Sequence, residues 1–161
     1  MMVLAEWLEQ RRDGRPAAVV GVGNRLRRDD AAGSCVAERL CDAGYTPVFD
    51  TETVPENYLG ALMAAAPGIV LFVDAADHGG APGECRLATV DALAPRLAST
   101  HAPSLALLAG LLQSRGIECW LLGIQPTSTA PGSGLSPAVE SAVEMLVEAL
   151  TTGPAHEVHR A

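Results

Sequence analysis

Lysine is missing from this chain altogether: its eleven Lys and Arg positions are all arginine. That absence removes the Walker A phosphate loop, Schiff-base chemistry and any Ser–Lys catalytic pair at once. Neither a GxSxG elbow nor an HExxH helix occurs, which sets aside two further hydrolase designs. The four cysteines, Cys35, Cys41, Cys85 and Cys119, include no CxxC pair. A zinc knuckle and a thioredoxin motif are therefore excluded, and reduced core or half-buried thiols are expected. The longest nearly continuous apolar stretch, Leu105 to Leu112, is far shorter than the roughly 20 residues that span a bilayer. The opening segment carries Glu6, Glu9, Arg11, Arg12 and Asp13, so it reads as no signal peptide, and a cytoplasmic protein is expected. A net charge of −8 argues against nucleic acid or an anionic membrane as the main partner.

What is present is a globular composition. The chain has 161 residues, of which 48% are hydrophobic, and reads as a single domain over 1–161. Residues 1–15 are expected to form an amphipathic helical extension with Val3, Leu4, Trp7 and Leu8 on one face. Strands are expected at Ala17–Val22, Thr46–Thr51, Ile69–Val73, Glu84–Val90 and Cys119–Ile124. Helices are expected from Asp29 or Asp30 to about Cys41, from Pro55 through Met63, over Ser104–Arg115, and from Ser136-Pro137 to Leu150. Ile69-Val70-Leu71-Phe72-Val73 is the signature of a central strand buried on both faces. The stretch Gln125–Leu135 reads as a mobile loop, and residues 152–161 as a flexible tail. Strands alternating with helices predict a three-layer α/β/α sandwich around a mostly parallel, about five-stranded sheet.

The most informative local pattern is Gly21-Val22-Gly23-Asn24, followed by Asp29-Asp30 and Gly33. A glycine-rich turn between a strand and a helix first suggests a phosphate site. Here two carboxylates face the position a phosphate would take, which favours a cation. The dinucleotide fingerprint is also broken, because Leu26 replaces its third glycine, even though Asp50 or Glu52 sits where a ribose-binding acid would lie. Asp74 ends the buried central strand, where a carboxylate is costly without a partner or a metal. Ligands of such sheets bind beyond the carboxyl ends of the strands, which gathers Asp74 and the GVGN turn at one edge. Asp30, Asp74 and His101 are thus the candidate site: two carboxylate oxygens and one imidazole nitrogen suit a divalent transition metal. Each also has a plain alternative. Asp30 suits a helix N-cap, Asp74 a turn cap, and His101 a surface loop.

These segments resemble the hydrogenase maturation endopeptidases. The likeness runs through Gly21-Val22-Gly23-Asn24, Asp29-Asp30, Gly33, Val73-Asp74-Ala75, Pro82-Gly83-Glu84, His101 and Gly123-Ile124-Gln125-Pro126, and spans about Ala17 to Leu150. Pro55-Glu56-Asn57-Tyr58 and the GIQP segment look closest to the branch that serves hydrogenase-3-type large subunits. The resemblance implies a peptidase that removes the C-terminal extension of a nickel–iron hydrogenase large-subunit precursor after nickel insertion. It implies recognition of the nickel carried by that substrate, with Asp30, Asp74 and His101 as the metal-contacting and catalytic positions. The isolated protein would then take another divalent cation at the same donors. Ala31 stands where the family usually has glycine, and Arg25, Arg27 and Arg28 make the preceding loop basic, either as a solvated loop or to dock acidic groups. The alternative from a different class is a non-catalytic partner-binding protein of the same fold.

Overall fold

The unbroken apolar run at 69–73 forms the middle of the protein. In the computed structural model, which describes residues 2–97, 101–152 and 157–160, it becomes the fully buried strand β4 (Ile69–Ala75). Before it come β1 (Met2–Val3), α1 (Leu4–Arg11), β2 (Ala17–Gly21), α2 (Ala32–Asp42), β3 (Val48–Asp50) and α3 (Leu59–Ala65). After it come β5 (Cys85–Thr89), α4 (Val90–Leu93), α5 (His101–Gln113), β6 (Glu118–Ile124), α6 (Pro137–Thr152) and β7 (Glu157–Arg160). The sheet order is β1-β7-β5-β6-β4-β2-β3. Strands β3, β2, β4 and β6 run parallel and β5 runs antiparallel to β6. The expected five-stranded, mostly parallel sheet is therefore present, and the short strands β7 and β1 extend it at one edge.

Alternation along β4 separates two cores. Ile69, Leu71 and Val73 pack with Leu4, Leu8, Val36, Leu40, Val143 and Leu146, so α1, α2 and α6 cover one face. Val70 and Phe72 pack with Leu62, Leu93, Leu105, Leu108 and Leu112, so α3, α4 and α5 cover the other. Three layers result, as the alternation of strands and helices predicted. Among the described residues no helix is long and apolar enough to cross a membrane.

Several local expectations need correction. The first residues are not all helical, since Met2–Val3 pairs with the chain's other end as β1. The tail expected to be flexible carries β7, paired with β1 and β5. Of His156-Glu157-Val158-His159, a run whose residue types could chelate a metal adventitiously, His156 lies outside the described residues. Helix α5 begins three residues before the expected Ser104, at His101. Across the layers, Glu140 on α6 accepts a 2.6 Å hydrogen bond from Arg39 on α2.

The glycines of the first turn explain how α2 reaches the sheet. A Cβ on Gly33 would run into the backbone of Val73 and Val22, and one on Gly21 would strike the Gly33 carbonyl. Helix α2 thus lies directly against the ends of β2 and β4, closer than any side chain permits. Gly33→Ala is expected to destabilise the fold by about 3 kcal/mol, because the obstructing atoms are backbone and cannot swing aside. Gly60→Ala in α3, where a Cβ meets nothing within 4 Å, is expected to be neutral or stabilising by up to about 1 kcal/mol. Urea-unfolding midpoints of the two variants against the parent chain check both.

Candidate metal centre

Three elements meet at the carboxyl end of β4. The strand does not stop at Asp74 but continues through Ala75, which leaves Asp74 held inside regular sheet, opposite Gly123 of β6. Asp30 sits in the 3₁₀ turn Arg28–Ala31, which precedes α2 and is drawn to the strand ends by the close approach of Gly33. The backbone amide of Asn24 donates to the Asp30 carbonyl at 3.0 Å and ties the GVGN turn to the same spot. His101 opens α5. Its imidazole is not in a surface loop; it is 3% exposed, while Asp30 and Asp74 are both fully buried. Potential ligand atoms of Asp30, Asp74 and His101 all lie within 4.8 Å of one another. The structure brings together all three residues that the sequence singled out.

The neighbouring acid does a different job. Asp29, fully buried, accepts hydrogen bonds from the amides of Thr127, Ser128 and Ser136 and from the Ser136 hydroxyl, at 2.7–3.1 Å. It caps neither its own turn nor α2, since no side-chain cap bond is made at either start. Instead it reaches across the sheet end to fasten the loop between β6 and α6. Further links tie that loop to the first turn: Arg28 N to Gly132 O at 3.0 Å, Gly132 N to Leu26 O at 2.9 Å, and Arg27 Nε to Thr129 O at 3.0 Å. The stretch expected to be mobile is therefore pinned at both ends. Gln125 secures the opposite rim, its Oε1 accepting from the amides of His78 and Gly80 and its Nε2 donating to Asp77. Of the basic loop residues, Arg25 pairs with Asp50 at 2.8 Å and Glu38 at 3.1 Å, and Arg27 is taken by Thr129. Sequence patterns did not reveal the role of Asp29, because an acid before a helix looks like a cap wherever its side chain points.

The electrostatics follow from burial. Asp74 Oδ2 lies 3.2 Å from His101 Nδ1, and Asp74 Oδ1 accepts the Ala75 amide at 2.8 Å. Burial pushes the Asp74 carboxyl up to about 7 against the hydrogen bond and charge of His101, and the adjacent Asp30 charge adds to the rise. Burial alone would lower His101, but the hydrogen bond to Asp74 and the charges of Asp74, Asp30 and Glu56 outweigh it and raise the imidazole. Two donors bound about 2.1 Å from one ion at a right angle stand about 3 Å apart. The Asp74–His101 gap therefore suits either a shared proton or a divalent cation. The donor set fits such an ion: hard carboxylate oxygens, one imidazole nitrogen and no thiolate.

A pH dependence follows. The folded protein keeps a proton on Asp74 that the unfolded chain releases near its ordinary carboxylate value of about 4. That contribution to stability is present at acid pH and is lost as pH rises through about 7. The raised His101 acts in the same direction, its contribution being lost as pH rises through its folded value. The metal-free protein is thus expected to be less stable at pH 7.5 than at pH 5, with Asp74→Asn flattening the slope. Added Co²⁺ or Ni²⁺ is expected to raise Tm more at pH 8 than at pH 5.5, since binding displaces those protons. Thermal scans of apo and metal-loaded samples across that range check both statements.

Comparison with known proteins bears on this geometry. Residues 33–152 match the family described as HycI, hydrogenase maturation protease. The hydrogenase 3 maturation protease of Escherichia coli K12 is 34% identical over 132 residues, covering 80% of this chain and 85% of that protein. The solution structure of the endopeptidase HycI from Escherichia coli superposes with a TM-score of 0.77 at 28% identity, over 90% of this chain and 96% of that one. The crystal structure of a nickel–iron hydrogenase maturation protease HycI from Thermococcus kodakarensis gives 0.70 at 31% identity, over 91% and 99%. Sequence and fold agree, and the chain belongs to the hydrogenase maturation protease family.

Proposed function

We propose that this protease removes a short C-terminal extension from a nickel–iron hydrogenase large-subunit precursor, in the cytoplasm, once nickel is in place. Asp30, Asp74 and His101 engage the nickel that the precursor already carries. The observation that supports this most is the convergence of these three buried side chains at the end of β4, in a chain of this family. A site of two oxygens and one nitrogen is a modest nickel binder beside a thiolate-rich one. It can recognise metal held by a partner's cysteines without stripping it. Asp30 and Asp74 supply the two negative charges that balance a divalent ion, and His101 supplies the neutral donor. A cation seated there can polarise the scissile carbonyl or acidify an attacking water. In the isolated protein the same donors take other divalent cations.

A covalent cysteine mechanism is poorly served by this chain. Burial pushes the thiols of Cys85 and Cys119 up to about 12 and raises that of Cys35 as well, so none of the three supplies thiolate at neutral pH. Ser34 donates its hydroxyl to the Gly23 carbonyl, and Ser136 donates to Asp29. The hydroxyls nearest the first turn are thus committed to structure.

Asp30→Asn, Asp74→Asn and His101→Ala are each expected to slow processing of nickel-loaded precursor by about 10²–10³-fold or more, with circular dichroism unchanged. Mass spectrometry of the precursor's C-terminus reads the result. Wild-type rates in all three variants would overturn the site. A parent chain that binds nickel-loaded precursor and leaves its mass unaltered would support the docking-only alternative.

A further inference from the structure

Glu56 lies outside the three converging residues, and neither packing nor pairing accounts for it. It belongs to the 3₁₀ turn Pro55–Tyr58, which packs against α5, the helix that His101 opens. The side chain is half-buried, and its Oε2 atom is closed off from solvent with no hydrogen-bond partner. Among the described residues no arginine forms an ion pair with it, and the chain offers no lysine. A buried carboxylate oxygen with neither donor nor cation is costly. Nearby acids show the usual remedy: Asp50 is held by Arg25, Asp29 by the loop amides, and Asp74 by His101. Glu56 has no such partner, yet its negative charge reaches His101.

A proton acceptor besides the ligands would assist the hydrolysis. While a cation is held, the facing lone pairs of Asp30, Asp74 and His101 are committed to it. The charges of Asp30 and Asp74 already balance a divalent ion, and Glu56 is a further carboxylate, carried by the turn packed against α5, with a buried oxygen that has no hydrogen-bond partner. Resting on the peptidase reading above, we propose that Glu56 is a catalytic residue, the general base that takes a proton from the attacking water. As the proton passes to a Glu56 oxygen, the water oxygen bonds to the scissile carbonyl carbon. The proton then moves to the departing amide nitrogen as the C–N bond breaks, and Glu56 returns to carboxylate. One water is consumed, one carboxyl and one amino terminus appear, and no oxidant or reductant is involved. The turn that precedes α3 thus carries chemistry as well as a helix start.

The test compares the parent chain with Glu56→Gln and Glu56→Asp on nickel-loaded precursor, following single-turnover cleavage by mass spectrometry. Precursor affinity and the visible spectrum of Co²⁺ titrated into each protein are measured in parallel. Glu56→Gln is expected to lower the cleavage rate by about 10²–10⁴-fold, and Glu56→Asp by less. Precursor affinity and the Co²⁺ spectrum are expected to stay within about twofold of the parent, because the base is not a ligand. A Glu56→Gln protein that cleaves at the parent rate would overturn the assignment. So would one whose loss of rate is matched by loss of Co²⁺ or precursor binding, which would make Glu56 a structural or ligand-supporting group. A parent chain that leaves nickel-loaded precursor intact would overturn the peptidase reading, and this assignment with it.

Discussion

The site depends on one contact between main chains. Helix α2 reaches the ends of β2 and β4 only because Gly33 and Gly21 present no side chain where the two backbones touch. That approach seats the turn carrying Asp30 against the strand carrying Asp74. Two carboxylates are thereby enclosed within a few ångströms of each other, an arrangement that costs free energy in the absence of a positive charge. The fold tolerates it by letting Asp74 share a proton with His101. The glycines that look like a nucleotide cradle thus serve packing, and the packing in turn encloses two acids beside one imidazole.

Asp29 and Asp30 are adjacent in sequence and opposed in purpose. Asp29 is satisfied by backbone amides and one hydroxyl, so its charge is neutralised by dipoles already in place. Asp30 faces Asp74 and His101, where its charge adds to that of the site. Because the two share a short 3₁₀ turn, fastening the first orients the second. The loop between β6 and α6 is part of the same assembly, since it supplies the donors that hold Asp29.

Much of this was legible in the residues. Five consecutive apolar residues marked β4 and its burial on both faces, and the strand-end rule for parallel sheets placed Asp74 beside the GVGN turn. His101 was legible as a possible nitrogen donor but not as a placed one, because no local pattern distinguishes a histidine that opens a helix from one in a loop. Alanine and proline follow it, and both tolerate a helix start. The clamp made by Asp29 was invisible, since its partners lie about a hundred positions away and are mostly backbone amides that carry no side-chain signature. Strand β7 was missed for a related reason: pairing with β1 and β5 at a sheet edge is a tertiary choice that a short polar segment does not announce. Glu56 sat inside a quoted motif without a role, and only the lack of a partner for its buried oxygen draws notice to it.

The placement of sulfur has a consequence of its own. The four cysteines are unpaired, and none belongs to the group formed by Asp30, Asp74 and His101. Carboxylates and imidazole react far more slowly than thiolates with peroxides, alkylating agents and soft metals such as mercury. Such reagents would reach a thiol elsewhere in the fold before they touched this centre. Iodoacetamide therefore marks the exposed Cys41 first, at a distance from the chemistry of the three converging side chains.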